Sequence, residues 1–486
     1  MTSSNVRFCG YPSAFIYEVT GSERKEDRIK HLFWGDTIVL PGERQGDYVR
    51  AKSRDAEGWM KESDLLEDPL LDIIFLDVGQ GDSCLIVTPA DEKVLVDAGK
   101  EDHLLRYLRW RYKNYETPEM RAMGGKITAV IISHPDNDHY LGLKSLIEDP
   151  KFGPLINIDA VYHNGIFTRK GSGLSSLGAL QKEGKVTYIS DPVVTHADLE
   201  KFFTTAPGWD KLEYPKLIHD LRLKNAGTKF LMLNQTFTKI PNLTPVPGMS
   251  VTVLGPILEK IDGGQGLRTF GGDVGKTKNG HSIILLLRYK NIRILLGGDL
   301  NIPSEKFLLE HYATLNPFEA EVLKAYHHGS GDFAEEFIES IKPYVSVISS
   351  GDNESYSHPR ADTMGFLGKA SRGRRPLLFS TELARSAPEI IKNPIILKQE
   401  FKTLTQKLGR TDLSAAERSE TEKKLNALED TALNRSVAVY GAINLRTDGE
   451  KLLMCQKKEA PNKEREEWDI YKIAPDASKK QLVLVP

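Results

Sequence analysis

Apolar residues change their spacing twice along this chain. Up to about residue 68 they come in short pieces, "DTIVL", "DYVRAKS" and "EGWMKESDLL", divided by Gly, Pro and charged residues. That punctuation predicts a small β-barrel domain. From residue 72 the runs "DIIFLDVG", "CLIVTP", "KVLVDAG" and "ITAVIIS" have strand length, and each stops at Gly, Pro, Asp or Ser. "HLLRYLRWRYKNY" places apolar residues at helical spacing, and "DFAEEFIESIK" does the same farther on. Between and after them "SVTVLGP", "SIILLLRY", "IRILLGGD", "EVLKAYHHGS" and "YVSVISSGD" read as further strands. Strands mixed with helices in this way predict an α/β sandwich. Two stretches interrupt it. Residues 262 to 280 are Gly-rich and read as a mobile loop, and residues 395 to 434 are charged and helical in pattern, a helical insert. The terminal segment, 435 to 486, is β-rich, with Asp448-Gly449 as a hairpin turn, and is expected to complete or pack on the sandwich.

Composition narrows the setting. A length of 486 residues supplies material for a large core in two or three domains. The net charge of −2 gives no global attraction to nucleic acid or membrane, so any anion-binding surface must be local. Three widely spaced cysteines (Cys9, Cys84, Cys455) fit a reducing compartment and argue against a disulfide framework or a cysteine-rich zinc site. The N-terminal residues lack the basic and apolar segments of a secretory signal, and no run approaches the roughly 18 apolar residues of a membrane span. A cytoplasmic protein is expected.

The chemistry concentrates in "VIISHPDNDHYLGL", where an apolar run ends in His134, Asp136, Asp138 and His139. Burying two carboxylates together costs several kcal/mol unless a cation compensates them. Other apolar runs end alike: "ILLGGDLN" in Asp299, "VLKAYHHGS" in His327 and His328, and "SYSHPR" delivers His358. Ligands at strand ends converge on one rim of a sheet, the usual place for a site in a layered α/β protein.

"HPDNDH" is a variant of the HxHxDH signature of metallo-β-lactamase-fold hydrolases. With "LDVGQGDSCLI", "VLVDAG", "LLGGD", "HHGS" and "YSHP" in this order, residues 72 to 385 closely resemble the soluble domain of ComEC-like DNA-uptake proteins. "GWMKESDLL" resembles the closing strand of bacterial SH3-like domains. These resemblances imply a four-layer αββα metallo-β-lactamase sandwich over residues 72–394, preceded by an SH3-like β-barrel over residues 1–68, with one or two divalent ions. Carried over, His134 and Asp136 would bind one metal, Asp138 and His139 the second, with Asp299 bridging. His327 resembles the late histidine ligand, and His328 takes that place if the register shifts by one. Asp82 and Asp97 match positions that border the site or orient its ligands, and His358 matches one near a substrate phosphate or leaving group.

One departure stands out. The superfamily's histidine between the hexapeptide and the bridging aspartate has no motif here. His163, His196, His219 and His281 are the candidates, His163 foremost because it ends the strand-like "INIDAVYH". Three carboxylates among the six ligands shift preference from Zn²⁺ toward Mn²⁺, and both remain expected.

The reaction this implies is hydrolysis by metal-activated water, with DNA or another phosphodiester as substrate. Asp138 would hold or deprotonate the nucleophile and His358 would protonate the departing oxygen. The basic stretch from 358 to 376, with Arg360, Lys369, Arg372, Arg374 and Arg375 against Asp362, is where a polyanion backbone would lie. Two other readings stay open. One is a hydrolase of a small ester, thioester or phosphorylated metabolite. The other is a binding module with a weak or structural metal site, its SH3-like domain recruiting a protein or peptide. The membrane channel of the DNA-uptake proteins is absent, so DNA import is not expected.

Overall fold

The computed structural model describes residues 5–21, 23–54, 56–113, 117–351, 356–382, 394–433, 437–458, 462–476 and 481–485. Two sheets stack face to face. The first has ten strands in the spatial order Lys229–Met232, Ala160–His163, Ala129–Ile131, Lys93–Val96, Cys84–Val87, Leu71–Phe75, Ile443–Thr447, Leu452–Lys457, Trp468–Asp476 and Gln481–Val485. The second has six: Met249–Gly255, Ile284–Tyr289, Ile292–Gly297, Val322–Lys324, Val345–Ile348 and Leu377–Ser380.

Residue alternation builds the layers. Leu71, Ile73 and Phe75 face the second sheet, and Ile74 points outward to the helices. In the second sheet Leu285 and Leu287 face inward and Ile284 outward. Strands buried on both faces read as unbroken apolar runs, which is why they are legible in the sequence. Three buried clusters result: one between the sheets, one under helices that include His103–Arg111, Asn137–Glu148 and Glu213–Lys224, and one under Ile302–His311, Glu335–Ile341 and Ala361–Ala370. The layers are α, β, β, α.

Parallel pairing fixes where the chemistry must appear. Lys93–Val96, Ala129–Ile131, Ala160–His163 and Lys229–Met232 are parallel neighbours, as are Ile292–Gly297, Val322–Lys324, Val345–Ile348 and Leu377–Ser380. Parallel strands return through crossovers and so end at one rim. The segments that follow them therefore gather at one edge of the sandwich.

Eight short antiparallel strands between Val6 and Leu66 precede the sandwich, around Cys9, Ile16, Leu32, Ile38, Ala51 and Met60. They form a seam with it: Phe33, Trp34 and Leu70 pack with Leu453, Cys455 and Trp468. The hairpin Ile443–Thr447 and Leu452–Lys457 adds to the free edge of Leu71–Phe75, turning at Gly449, where φ is +89°. Residues 395 to 433 fall in two paired helices, Pro394–Leu408 and Ala415–Leu433. Glu429 ties the second to Arg109 at 2.8 Å and to Lys151 at 3.6 Å. The boundary expected at 434–435 lies outside the described residues.

The stretch from 262 to 280 is not a loop. Gly264–Arg268 is a strand paired with Glu259–Ile261 and Val186–Ile189, and Val274–Gly280 is a helix. Gly271 and Gly272, with φ of +62° and +69°, make the turn, and the Asp273 carboxylate caps the helix by accepting from the Lys276 N–H at 2.8 Å. No helix among the described residues is long and apolar enough to cross a membrane.

Candidate metal centre

The rim defined by the parallel strands carries a cleft of about 420 Å³. Asp136, Asp138, Asp299, His327, His328 and His358 all line it, along with Gln80, Lys100, Asn279 and Tyr356. His134 and His139 lie fully buried beneath. The hexapeptide turns straight into the helix Asn137–Glu148, so Asp138 and His139 sit on its first turn.

At the floor, His139 Nε2 is 3.3 Å and His328 Nε2 3.2 Å from Asp299 Oδ2. Asp138 closes the group, with Oδ2 3.6 Å from His328 Nε2 and Oδ1 3.9 Å from His139 Nε2. Donors sharing one ion at about 2.0–2.2 Å stand roughly 3.3–3.6 Å apart, a range that the first three separations meet to within about 0.1 Å and the Asp138–His139 separation exceeds. Satisfaction of polar atoms gives the sharper test. His134 Nε2, His139 Nε2, His328 Nε2 and Asp299 Oδ1 are buried without any hydrogen-bond partner, and buried polar atoms are rarely left so. The residues fit a divalent ion.

Their neighbours fix the rings. His139 Nδ1 lies 2.8 Å from Asp97 Oδ2, whose other oxygen accepts from the Ser133 N–H at 2.7 Å. His328 Nδ1 donates to the Ser349 carbonyl at 3.1 Å. A carboxylate or carbonyl on Nδ1 holds the proton there and leaves Nε2 its lone pair, the arrangement expected of metal-binding histidines. Asp82 stands 3.2 Å from His328 Nδ1 and forms a buried ion pair with Lys324. Gly81, at φ +112°, lets this loop pack against the first turn of the Asn137–Glu148 helix; a Cβ there would lie 1.9 Å from the Asp138 carbonyl oxygen. Asp97, His327, His328 and Ser357 all take left-handed backbone, with φ of +58°, +49°, +54° and +58°. Four such non-glycine residues around one cleft are the strain pattern of a functional site.

Charge coupling follows this packing. Burial opposes ionisation of Asp299, yet His328, His139 and His327 around it hold its carboxyl well below the usual range. Against the same burial, Asp299 and Asp82 push His328 up to about 10. Burial pulls His327 down.

The two adjacent histidines are therefore not equivalent. His328 enters the group of donors, whereas His327, 3.8 Å from Asp299 Oδ2, stands at the cleft wall. Of the two histidines offered for the late-ligand place, His328, the alternative for a register shifted by one, lies within the group of donors, and His327 lies outside it. None of the four candidates for the missing histidine joins the centre. Strand alternation sends Tyr162 to the intersheet core and His163 to the helical side, where its ring meets Phe167 edge-on. Burial pushes His163 down to about 3. His281 Nε2 bonds the Arg268 carbonyl at 2.6 Å, His196 pairs with Glu200, and His219 packs on Trp209.

The basic stretch separates likewise. Arg360 is exposed beside His358. The helix Ala361–Ala370 then carries the chain away by roughly 15 Å, so Arg374 and Arg375 fall near the start of Leu377–Ser380, at the opposite rim. Arg372 is engaged there with Glu319 and Glu321 at 2.9 and 3.0 Å.

Sequence reasoning missed Ser133, Ser282, Lys278 and Lys324. Ser133 and Ser282 hydroxyls lie 3.1 and 3.3 Å from His134 Nδ1. Lys278 forms an ion pair with Asp136. Lys324 follows "EVL" immediately before "AYHHGS", and its charge inside an apolar run was the available signal.

The model of the Metallo-beta-lactamase superfamily matches residues 76–342. ComE operon protein 3 of Bacillus subtilis (strain 168) is 33% identical over 96 residues, 20% of this chain and 12% of that relative's length. Among solved structures, a metal-dependent hydrolase of the beta-lactamase superfamily is 16% identical, with 64% of this chain and 95% of that one covered at a TM-score of 0.30. Unliganded yeast PDE1 is 12% identical, with 77% and 99% covered at a TM-score of 0.29.

Proposed function

The chain belongs to the metallo-beta-lactamase superfamily, and from that premise we propose that it is a metal-dependent phosphodiester hydrolase with DNA as its foremost substrate. The observation that carries this reading is the set of orphaned buried atoms on His139, His328 and Asp299, joined by Asp138, at the floor of a polar cleft. Among the described residues none that lines the cleft is aliphatic, which disfavours an acyl ester or thioester. The motif order shared with DNA-uptake proteins, together with the identity to ComE operon protein 3, supports DNA within the phosphodiester class.

Asp138, His139, His328 and Asp299 would hold a divalent ion, which would supply Lewis acidity and make water a stronger acid. The chain's own groups do the rest. Asp138 faces the cleft, accepts from the Gln80 amide at 3.5 Å, and takes the proton of the attacking water. His358, which lines the cleft with its ring 5.7 Å from that of His327, serves in this reading as the acid that protonates the departing oxygen. Lys100 on the cleft wall and Arg360 beside His358 receive phosphate oxygens. The exposed Tyr356 ring lies nearly parallel to His358, 6.0 Å away, and offers a face to a base. Two imidazoles and two carboxylates suit Mn²⁺ or Zn²⁺.

The test is a panel of Mn²⁺, Zn²⁺ and Mg²⁺ against single- and double-stranded DNA, RNA, a chromogenic phosphodiester and a chromogenic carboxylic ester, with Asp138→Ala as control. Cleavage of DNA or the phosphodiester with Mn²⁺ or Zn²⁺, absent in Asp138→Ala, is expected. Turnover of the carboxylic ester alone contradicts the proposal.

A further inference from the structure

Asp136 differs from the other carboxylates of the cleft. Lys278 forms an ion pair with its Oδ1, the two side chains only 19% and 26% exposed. Its Oδ2 lies 3.0 Å from the Asn279 side-chain nitrogen when that amide is oriented to donate. Both oxygens are thus taken by cationic or N–H donors of the chain itself. The lysine is not a swinging surface group. Its helix, Val274–Gly280, is capped by Asp273, and the Asn301 amide donates to the Lys276 carbonyl at 2.9 Å.

Among the described residues no group of metal-capable donors includes Asp136; its neighbour His134 groups with His139 and Asp299, which already serve the floor. His163, His196, His219 and His281 are all engaged elsewhere. His134 Nε2 is 3.6 Å from Asp136 Oδ2 and 4.0 Å from Asp299 Oδ2. The ion pairs divide the carboxylates. Lys278 pairs with Asp136 and Lys324 with Asp82, while Asp97 is held by the His139 ring and the Ser133 amide. Asp138 and Asp299 are left facing the ring nitrogens of the floor.

We propose that the centre holds a single divalent ion, at Asp138, His139, His328 and Asp299, and that the Lys278 ammonium on Asp136 stands where a two-ion site would place its other cation. Lys278 then occupies Asp136 and opposes entry of a second ion there by like-charge repulsion. The inference rests on the metal-dependent reading above.

The test counts ions rather than turnover. Full-length protein is stripped with a chelator, titrated with Mn²⁺ in a calorimeter, and assayed for bound metal after gel filtration. Paramagnetic resonance of the loaded protein distinguishes isolated from coupled Mn²⁺. One ion per chain with an uncoupled six-line spectrum is expected. Asp136→Asn should keep that ion, whereas Asp138→Asn should weaken it at least about tenfold. Lys278→Glu, which exchanges the ammonium for a ligand, should take up a second ion, with near-ultraviolet circular dichroism and melting as the check on folding. Two coupled ions in the unaltered chain overturn the inference and leave the hydrolase reading standing. A folded Lys278→Glu protein that still takes one ion overturns the role of Lys278. Loss of the ion in Asp136→Asn but not in Asp138→Asn misplaces the site and overturns it as well. No ion at all in the unaltered chain fails the hydrolase reading itself.

Discussion

At the seam between the N-terminal sheet and the sandwich, Arg446 reaches Asp36 at 3.3 Å and Asp72 at 2.8 Å, while Arg54 joins Asp36 and Arg111 joins Asp72. At the rim cleft, Asp138, His139, His328 and Asp299 are buried as deeply or nearly so, but the lone pairs of the two rings meet no donor. Both clusters bear the cost of taking charge out of water, several kcal/mol per ion. The seam offsets it internally, because each carboxylate has guanidinium partners. The cleft leaves it to a cation that the sequence does not encode. Self-compensated charge holds domains together, and charge with vacant donor atoms marks chemistry.

The comparison is broken most forcefully at the seam. Arg446→Met leaves buried carboxylates under-compensated and should cost about 3–5 kcal/mol of folding stability in urea unfolding. Its melting temperature should still rise when Mn²⁺ is added. Asp299→Asn should do the converse. The stabilisation that excess Mn²⁺ gives the parent, about 2.7 kcal/mol at 100 times Kd, should vanish in differential scanning calorimetry, and hydrolysis should fall at least about 100-fold. A seam variant that loses the Mn²⁺ response, or an Asp299→Asn protein that keeps it, would erase the distinction.

A third buried charge sharpens it. Glu305 is fully buried, accepts the Ala334 N–H, and has no cation paired with it among the described residues; burial first, then Asp332 and Glu336, pushes it from 4.5 up to about 8. Its folded form favours the proton, so stability should fall as pH rises from about 4.5 to about 8 and level off above. Glu305→Gln should remove that slope, matching the parent near pH 4.5 and exceeding it by up to a few kcal/mol near pH 8.5. A difference between the two proteins that does not change with pH would contradict this assignment.

How far the sequence spoke for itself depended on the range of the physics involved. Buried parallel strands announce themselves as apolar runs, so the residues that follow them, from Asp97 through Asp299 to His328, could be placed on one rim before any coordinates. Which of His327 and His328 turns inward depends on two consecutive left-handed residues, and no periodicity records that. His163 ended a strand but fell on the wrong parity. The glycines of residues 262 to 280 read as a loop because two of them do make a turn, and the short capped helix behind them, with Lys278, was hidden by that signal. Arginines adjacent to His358 in sequence were carried off by one helix. Three strand-like pieces of the N-terminal sheet were visible through their punctuation, but its other strands were not, nor was the face it turns to the sandwich, since that depends on a partner some 400 residues on, as in the bond from Arg446 to the Trp34 carbonyl.

The central claim is that the orphaned donors exist to hold a cation. Crystals of the full chain soaked in Mn²⁺ and measured at the manganese absorption edge test it most directly. The account predicts an anomalous peak about 2.0–2.3 Å from His139 Nε2, His328 Nε2 and oxygens of Asp138 and Asp299. Saturating Mn²⁺ that leaves no peak there, with water alone bonded to those nitrogens, would contradict it.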